Sequence, residues 1–300
     1  MRSLELPDLF KRNVVGAFSN GKAWLESLPR LIEECEDRWK ITVGSPFNLS
    51  FNYVAPAVTA AGQERVLKLG VPNPELTLEI QALRLYAGDA AVRLLDSDQD
   101  RGFLLMKRLV PGQSLASLTD DDQATRIAAR TMRELWRSLP LNNPFPTVTQ
   151  WADGLKRLRK RFNGGAGPFP VRLVDMAERL FAELLSSAGT PVLLHGDLHH
   201  FNILSAQDRW IAIDPKGVAG ERAFEVGALL ENPNPRTYTD VNVQCRRVDV
   251  LCDELGLDRD RMLGYGVARA VLSAWWSYED SGNDWEPACA CAEVLTRLMN

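Results

Sequence analysis

The hydrophobic positions of this chain change period twice. From residue 21 to 39 they return every three or four residues, at Trp24, Leu28, Leu31, Ile32 and Cys35. That spacing predicts an amphipathic helix, with Pro29 either kinking it or marking its true start. From 40 to 110 the pattern shortens to the apolar runs "ITV", "NYVAPAV", "RVLKLG", "AVRLL" and "GFLLMKRL", which predict strands, the last two joined by a polar turn at "DSDQDRG". One helix interrupts them. "NPELTLEIQALRLYAG" offers Asn73 as N-cap, Pro74 at the first helical position, Glu75 in the first turn and Gly88 past the end. "VPGQS", residues 110–114, predicts a linker.

Beyond residue 120 the helical period dominates. Asp120 to Asp122 start a helix with Ala124, Ile127, Thr131 and Leu135 on one face, and Leu173, Met176, Ala177, Leu180, Phe181 and Leu184 mark another. Residues 264–278 and 287–299 predict two more. Two short apolar runs, "PVLL" and "WIAID", predict a small hairpin inside this helical region. No internal repeat interrupts the series.

Composition narrows the function classes. The 300 residues carry a net charge of -4, which disfavours nucleic acid and anionic membrane as partners. No apolar run reaches bilayer length, and "MRSLELPDLFKRN" has charges where a signal peptide needs an apolar core, so the expected location is cytoplasmic. Five scattered cysteines do not suggest a disulfide framework, and the Cys289/Cys291 pair reads as buried thiols on a helix. The basic run "LKRLRKRF" reads as a solvated helix face. Oligomeric state is not encoded in any of these features.

The chemistry concentrates in "LLHGDLHHFNIL", residues 193–204, which holds all three histidines together with Asp197 and Asn202. Asp214 ends the next apolar run. Two carboxylates and an amide oxygen are hard ligands suited to magnesium. The order Asp197, Asn202, Asp214 follows the kinase arrangement of a catalytic aspartate, a metal-binding asparagine five residues on, and a second metal-binding aspartate beyond. Zinc is the rival reading, disfavoured because adjacent His199 and His200 side chains diverge on an extended segment. His195 is expected to orient the loop and His199 to lie near the reacting groups.

A nucleotide-using enzyme also needs a cation for phosphates. Lys68 stands mid-strand in "VLKLG", where alternation alone could equally turn it to solvent. Glu79 lies on the apolar stripe of the helix defined by Leu76, Ile80 and Leu83, and a carboxylate there needs a partner. Lys68 and Glu79 therefore read as a pair; Glu75 is the fallback, although its first-turn position already has a helix-dipole explanation. Gly44 and Ser45 could offer backbone N–H groups to a phosphate, or form an ordinary strand turn.

"LLHGDLHHFNIL" followed by "WIAIDPKGVAGERAFEVGALLENP" resembles the aminoglycoside phosphotransferase superfamily. "AIDPKG", "EVGALLENP", "VLKLG", "EIQALRLYAG" and "LLMKRLVPGQSL" resemble its streptomycin 6-phosphotransferase and hydroxyurea phosphotransferase branch. The resemblance implies an α+β, protein-kinase-like bilobal fold, with a β-rich nucleotide lobe at residues 1–109 and a helical lobe at 110–300 that carries the catalytic loop and the acceptor site. It implies ATP and Mg2+ as cofactors, Asp197 as catalytic base, and Asn202 and Asp214 as magnesium ligands. Lys68, positioned by Glu79, would hold phosphates; Met106, Lys107 and Leu109 would belong to an adenine-facing hinge, and Glu225 would buttress the catalytic loop. Phe201 and Lys107 depart from the pattern, where glycine and glutamate are usual. The acceptor implied is a small molecule of the streptomycin type, expected to be cationic, or hydroxyurea. "AWWSYEDSGNDWEP", residues 274–287, is a candidate acidic and aromatic wall for it, against the plainer reading of core tryptophans and a solvated acidic loop. Another small alcohol as acceptor, or a nucleotide-binding pseudokinase, are the alternatives.

Overall fold

A computed structural model describes residues 4–299, which divide into two compact units with the boundary between Val110 and Pro111. The first begins with helices α1 (Asp8–Ala17) and α2 (Gly21–Trp39). The latter buries Trp24, Leu28, Leu31, Ile32 and Cys35, with Pro29 inside the helix. An antiparallel sheet follows, of β1 (Ile41–Val43), β2 (Tyr53–Thr59), β3 (Glu64–Leu69), β4 (Leu94–Asp98) and β5 (Phe103–Lys107), in the order β1-β2-β3-β5-β4. Helix α3 (Pro74–Tyr86) stands between β3 and β4 in sequence. Its Asn73 cap accepts from the Leu76 N–H at 3.1 Å, and the chain leaves through left-handed Ala87. The apolar face of α2 meets Tyr53, Leu67, Leu69 and Phe103 of the sheet in one core.

The strand expected at "AVRLL" runs three residues further, to Asp98. Asp96 and Asp98 are polar, yet they belong to the strand because Trp39 Nε1 and Arg38 Nη1 of α2 donate to them at 2.7 and 2.6 Å. Tertiary pairing outweighs their low strand propensity.

The second unit opens with β6 (Pro111–Ser114) and continues through α4 (Asp121–Leu135), β7 (Arg137–Ser138), α5 (Val148–Arg161), α6 (Val171–Ser186), β8 (Val192–Leu194), β9 (Ile203–Ala206), β10 (Arg209–Ala212) and β11 (Val218–Gly220). Helices α7 (Val226–Leu230), α8 (Pro235–Tyr238), α9 (Val241–Leu255), α10 (Arg259–Ser281) and α11 (Glu286–Leu298) complete it. Two expectations fail here. "VPGQS" is not a free linker, because its last four residues pair with β9 and Gln113 N–H donates to Ser205 Oγ at 2.9 Å. "PVLL" and "WIAID" do not pair with each other: β10 pairs with β9 across left-handed Gln207, while β8 lies between β7 and β11. The intervening "ILSA" is the nearer partner for "WIAID" and captures it.

The long apolar helix α10 is the spine of this unit, packing against α5, α6, α7, α9 and α11. The five cysteines are free, and burial pushes the Cys289 thiol up to about 12. The basic run is neutralised in part: Arg157 forks onto Glu279 at 3.0 Å, and Arg159 bonds Asp175 and Glu178.

Arg247 of α9 is fully buried, forks onto Asp121 at the start of α4, and donates to Asn232 O at 2.6 Å. Arg247→Met is expected to destabilise this unit by about 3 kcal/mol, the lower end of the range for breaking a buried pair, since Asp121 keeps some solvent access. Urea unfolding checks it; a loss under about 1 kcal/mol would show that the pair is dispensable.

Candidate active site

In the first unit, Lys68 and Glu79 are both buried, and Lys68 Nζ donates to both Glu79 carboxylate oxygens at 2.7 Å. The helix carboxylate and the strand ammonium thus balance each other away from water. Gly44 N–H donates to Pro56 O at 2.8 Å, closing the β1–β2 ladder, so it is not free for a phosphate; the plainer strand-turn reading holds for Gly44. Ser45 is exposed beyond it. Met106 is buried in β5, Lys107 is exposed while its N–H donates to Arg93 O at 2.9 Å, and Leu109 lies half-buried past the strand end.

In the second unit the loop that carries Asp197 and Asn202 leaves β8 at His195 and turns through Gly196, whose φ of +84° is open to glycine. A Cβ at Gly196 would also stand 2.8 Å from the Trp151 ring. Glu225 lies beneath this turn, fully enclosed, and accepts the N–H groups of His195 and Gly196 at 2.7 and 2.9 Å. Burial raises its pKa to about 7, against the two N–H bonds and Arg269, which favour the anion. The buried His195 ring accepts from Asp197 N–H through Nδ1 at 3.2 Å, so its Nε2 carries the proton and donates to Ile213 O at 2.8 Å. Its own carbonyl accepts from Lys216 N–H at 2.8 Å. His195 therefore stitches the segments carrying Asp197 and Asp214 together.

Asp197 is poised as an anion. Burial works to raise its pKa, but its neighbours His199, Arg269 and Lys216 outweigh it and hold the carboxyl well below its usual range. His199 Nδ1 accepts from Phe201 N–H at 3.2 Å, and Nε2 stands 3.6 Å from Asp197 Oδ2. Asn202 sits in a one-turn 3-10 segment, and its amide nitrogen donates to Asp197 O at 3.0 Å. Of the Asn202 side chain, the amide oxygen is then the atom suited to a metal. Asp214, two residues past β10, has a left-handed φ of +60°, a strained conformation for a non-glycine residue of the kind that clusters at functional sites. An amide oxygen and one carboxylate fit magnesium, which takes one or two protein oxygens and fills its remaining positions with water and phosphate. Zinc does not fit. No group of three or more His, Cys, Asp or Glu suited to a metal exists among the described residues, and His200 points into the protein, buried, with neither ring nitrogen hydrogen-bonded.

Arg269 and its partner Glu231 escaped the sequence reading. Arg269 of α10, 5% exposed, donates to Asp197 Oδ1 at 3.0 Å and to Glu231 Oε1 at 2.6 Å. The signal was present: a lone cation within the apolar run "GVARAVL" needs a buried partner, as Glu79 does. The segment 274–287 divides. Trp275, Tyr278 and Trp285 pack with Phe169 of the α5–α6 connection, which is the plainer core reading, and Glu279 is taken up by Arg157. Trp276 alone turns the other way, meeting half-buried Trp151 edge to face at 5.3 Å, beside the catalytic loop.

The model of a family described as aminoglycoside/hydroxyurea antibiotic resistance kinases matches residues 38–281. A streptomycin 6-kinase of Streptomyces glaucescens is 33% identical over 95% of this chain and 94% of its own. A hydroxyurea phosphotransferase of Kitasatospora aureofaciens is 34% identical over 92% and 81%. Among solved structures, choline kinase LicA from Streptococcus pneumoniae aligns with a TM-score of 0.64 at 12% identity, over 91% of this chain and 99% of that one. An aminoglycoside phosphotransferase in ternary complex with ADP and hygromycin B aligns at 0.61 and 11%, over 88% and 97%. These likenesses establish the protein-kinase-like fold.

Burial lowers the His200 pKa to about 3, with the charge of Arg247 acting the same way. The unfolded chain takes up this proton near pH 6.5 and the folded one does not, so the stability contribution is complete above pH 6.5 and is lost as pH falls toward 3. Between those limits the wild type is expected to lose up to about 1.4 kcal/mol per pH unit relative to His200→Leu. Denaturant unfolding of both proteins at pH 7, 6 and 5 measures it; parallel losses would mean that the ring titrates normally.

Proposed function

The chain belongs to the aminoglycoside/hydroxyurea antibiotic resistance kinase family and is a small-molecule phosphotransferase, and from that premise we propose that it moves the γ-phosphate of ATP to a hydroxyl of a streptomycin-type aminoglycoside. The observation that carries this reading is the Asp197 carboxylate, held as an anion at the turn of the catalytic loop. It accepts the proton of the acceptor hydroxyl as that oxygen bonds to the γ-phosphorus and ADP departs. Asn202 and Asp214 would hold Mg2+, which would neutralise phosphate charge. Lys68, steadied by Glu79, binds the nucleotide phosphates. Met106, Lys107 and Leu109 serve adenine, and Ser45, beside Gly44, is the remaining candidate phosphate donor of its loop.

A cationic acceptor is supported by charge around the loop. Asp197, held as an anion, and Asp214 set two carboxylates at the loop, with Lys216 and the buried Arg269 near them. Trp151 and Trp276 supply aromatic faces able to hold a guanidinium or a sugar ring. Hydroxyurea, the acceptor named for one relative, is the second reading; being neutral, its use would not weaken with salt, whereas that of a cationic acceptor would. An enzyme fed by cellular ATP fits a cytoplasmic location, and no helix among the described residues is long and apolar enough to cross a membrane.

The deciding experiment is ATP consumption with streptomycin, other aminoglycosides, hydroxyurea and simple alcohols, with mass spectrometry of the products. A phosphorylated streptomycin is expected; turnover of simple alcohols alone would replace the proposed acceptor. Asp197→Ala should lower turnover about 10²- to 10⁴-fold while leaving ADP affinity near that of the wild type. Lys68→Ala should weaken nucleotide affinity as well. Trp151→Ala should raise KM for streptomycin between about twofold and thirtyfold, the span of one cation–π contact, and an unchanged KM would move the acceptor away from this pair.

A further inference from the structure

Arg269 lies in the middle of α10, in its most apolar stretch, where an unpartnered guanidinium would be costly. Its seat is built by two positions on one face of α7 and its end. Gly227 leaves room for the side-chain stem: a Cβ there would stand 2.5 Å from Arg269 Cδ and 3.1 Å from Cβ. Glu231, four residues on and only 9% exposed, takes Nη1 at 2.6 Å. Held there, Nη2 reaches Asp197 Oδ1 at 3.0 Å and Gly196 O at 3.4 Å. Burial opposes the charge of Arg269, but Glu231 and Asp197 more than offset it, and its pKa is raised. One planar group thus spans two carboxylates, a geometry that lysine, as a point charge, cannot reproduce.

The two Asp197 oxygens are thereby distinguished. Oδ1 is anchored from inside the protein, and Oδ2 lies on the His199 side, 3.6 Å from Nε2. We propose that Arg269 is a positioning residue for phosphoryl transfer: seated on Gly227 and anchored by Glu231, it fixes the Asp197 carboxylate by Oδ1 so that Oδ2 is presented to the acceptor hydroxyl. This rests on Asp197 being the proton acceptor. Misplacing a reacting group by about 1 Å can cost on the order of 10²-fold in rate.

The test is steady-state kinetics with ATP and streptomycin for the wild type, R269M, R269K, E231Q, D197N and the double variant R269M/D197N, each with its thermal unfolding curve. R269M should lower kcat about 10²-fold with KM for ATP within about twofold of the wild type. R269K should recover part of that loss. E231Q, which keeps a hydrogen bond to the guanidinium, should lose about tenfold. In the D197N background R269M should cost no more than about twofold, because its effect passes through the carboxylate that is already gone. Loss of the same factor in both backgrounds would make Arg269 merely structural and overturn the proposal, as would R269M with kcat within about threefold of the wild type. If R269M does not fold, R269K carries the test by the same cycle with D197N. D197N with wild-type kcat would instead overturn the assignment of Asp197, and the proposal with it.

Discussion

A single enclosed carboxylate organises the larger unit's chemistry. Where the chain leaves β8 it must turn sharply, and that turn strands two main-chain N–H groups in the interior. Glu225 receives both. Unmet, each would cost about as much as a lost buried hydrogen bond. Because they are met, the turn can adopt the left-handed conformation at Gly196, Trp151 can close against it, and the next residue, Asp197, emerges in one orientation. The same turn lets His195 reach Ile213 on one side and Asp197 on the other. The positions of Asp197 and Asp214 therefore follow from an arrangement that touches neither carboxylate.

Buried ions recur as the device that sets geometry in both units. Lys68 with Glu79, Arg247 with Asp121, and Arg269 with Glu231 and Asp197 each join two or more different elements. Such pairs contribute little net stability, since desolvation cancels most of their attraction. Their value lies in direction: an ion that must find its counter-ion admits few arrangements of the elements that carry them. Apolar contacts hold α10 against its neighbours, and the ions specify how it is seated.

Much of this was legible in the chain because short-range patterns carry it. The Asn73 cap, the face of α2 and the spacing of Asp197 and Asn202 are local, and the helical period of α3 exposed Glu79 as a buried acid in need of a partner. What was missed is non-local. The pairing of "WIAID" with "ILSA" rather than "PVLL" depends on competition between partners, and apolar runs of four residues look alike to any strand. Asp96 and Asp98 read as a turn because the helix donors that draw them into β4 lie some sixty residues upstream. Arg269 was hidden differently. Its helix is legible, but its partners Glu231 and Asp197 lie 38 and 72 residues away, beyond any local pattern. Gly44, open in the sequence between a phosphate contact and an ordinary strand turn, has its N–H spent on its own sheet.

Gly227 has an implication for how such chains diverge. The room for the Arg269 stem exists only because position 227 carries no side chain, so any larger residue there must arrive together with a change at 269, and a change at 269 strands Glu231 and Asp197. Positions 197, 227, 231 and 269 are thus bound into one heritable unit, although 72 residues separate the first from the last. Along a lineage they should be replaced jointly or not at all, while Trp276, outside that unit, is free to drift. The surroundings of the loop can then change while the Asp197 carboxylate keeps its seat.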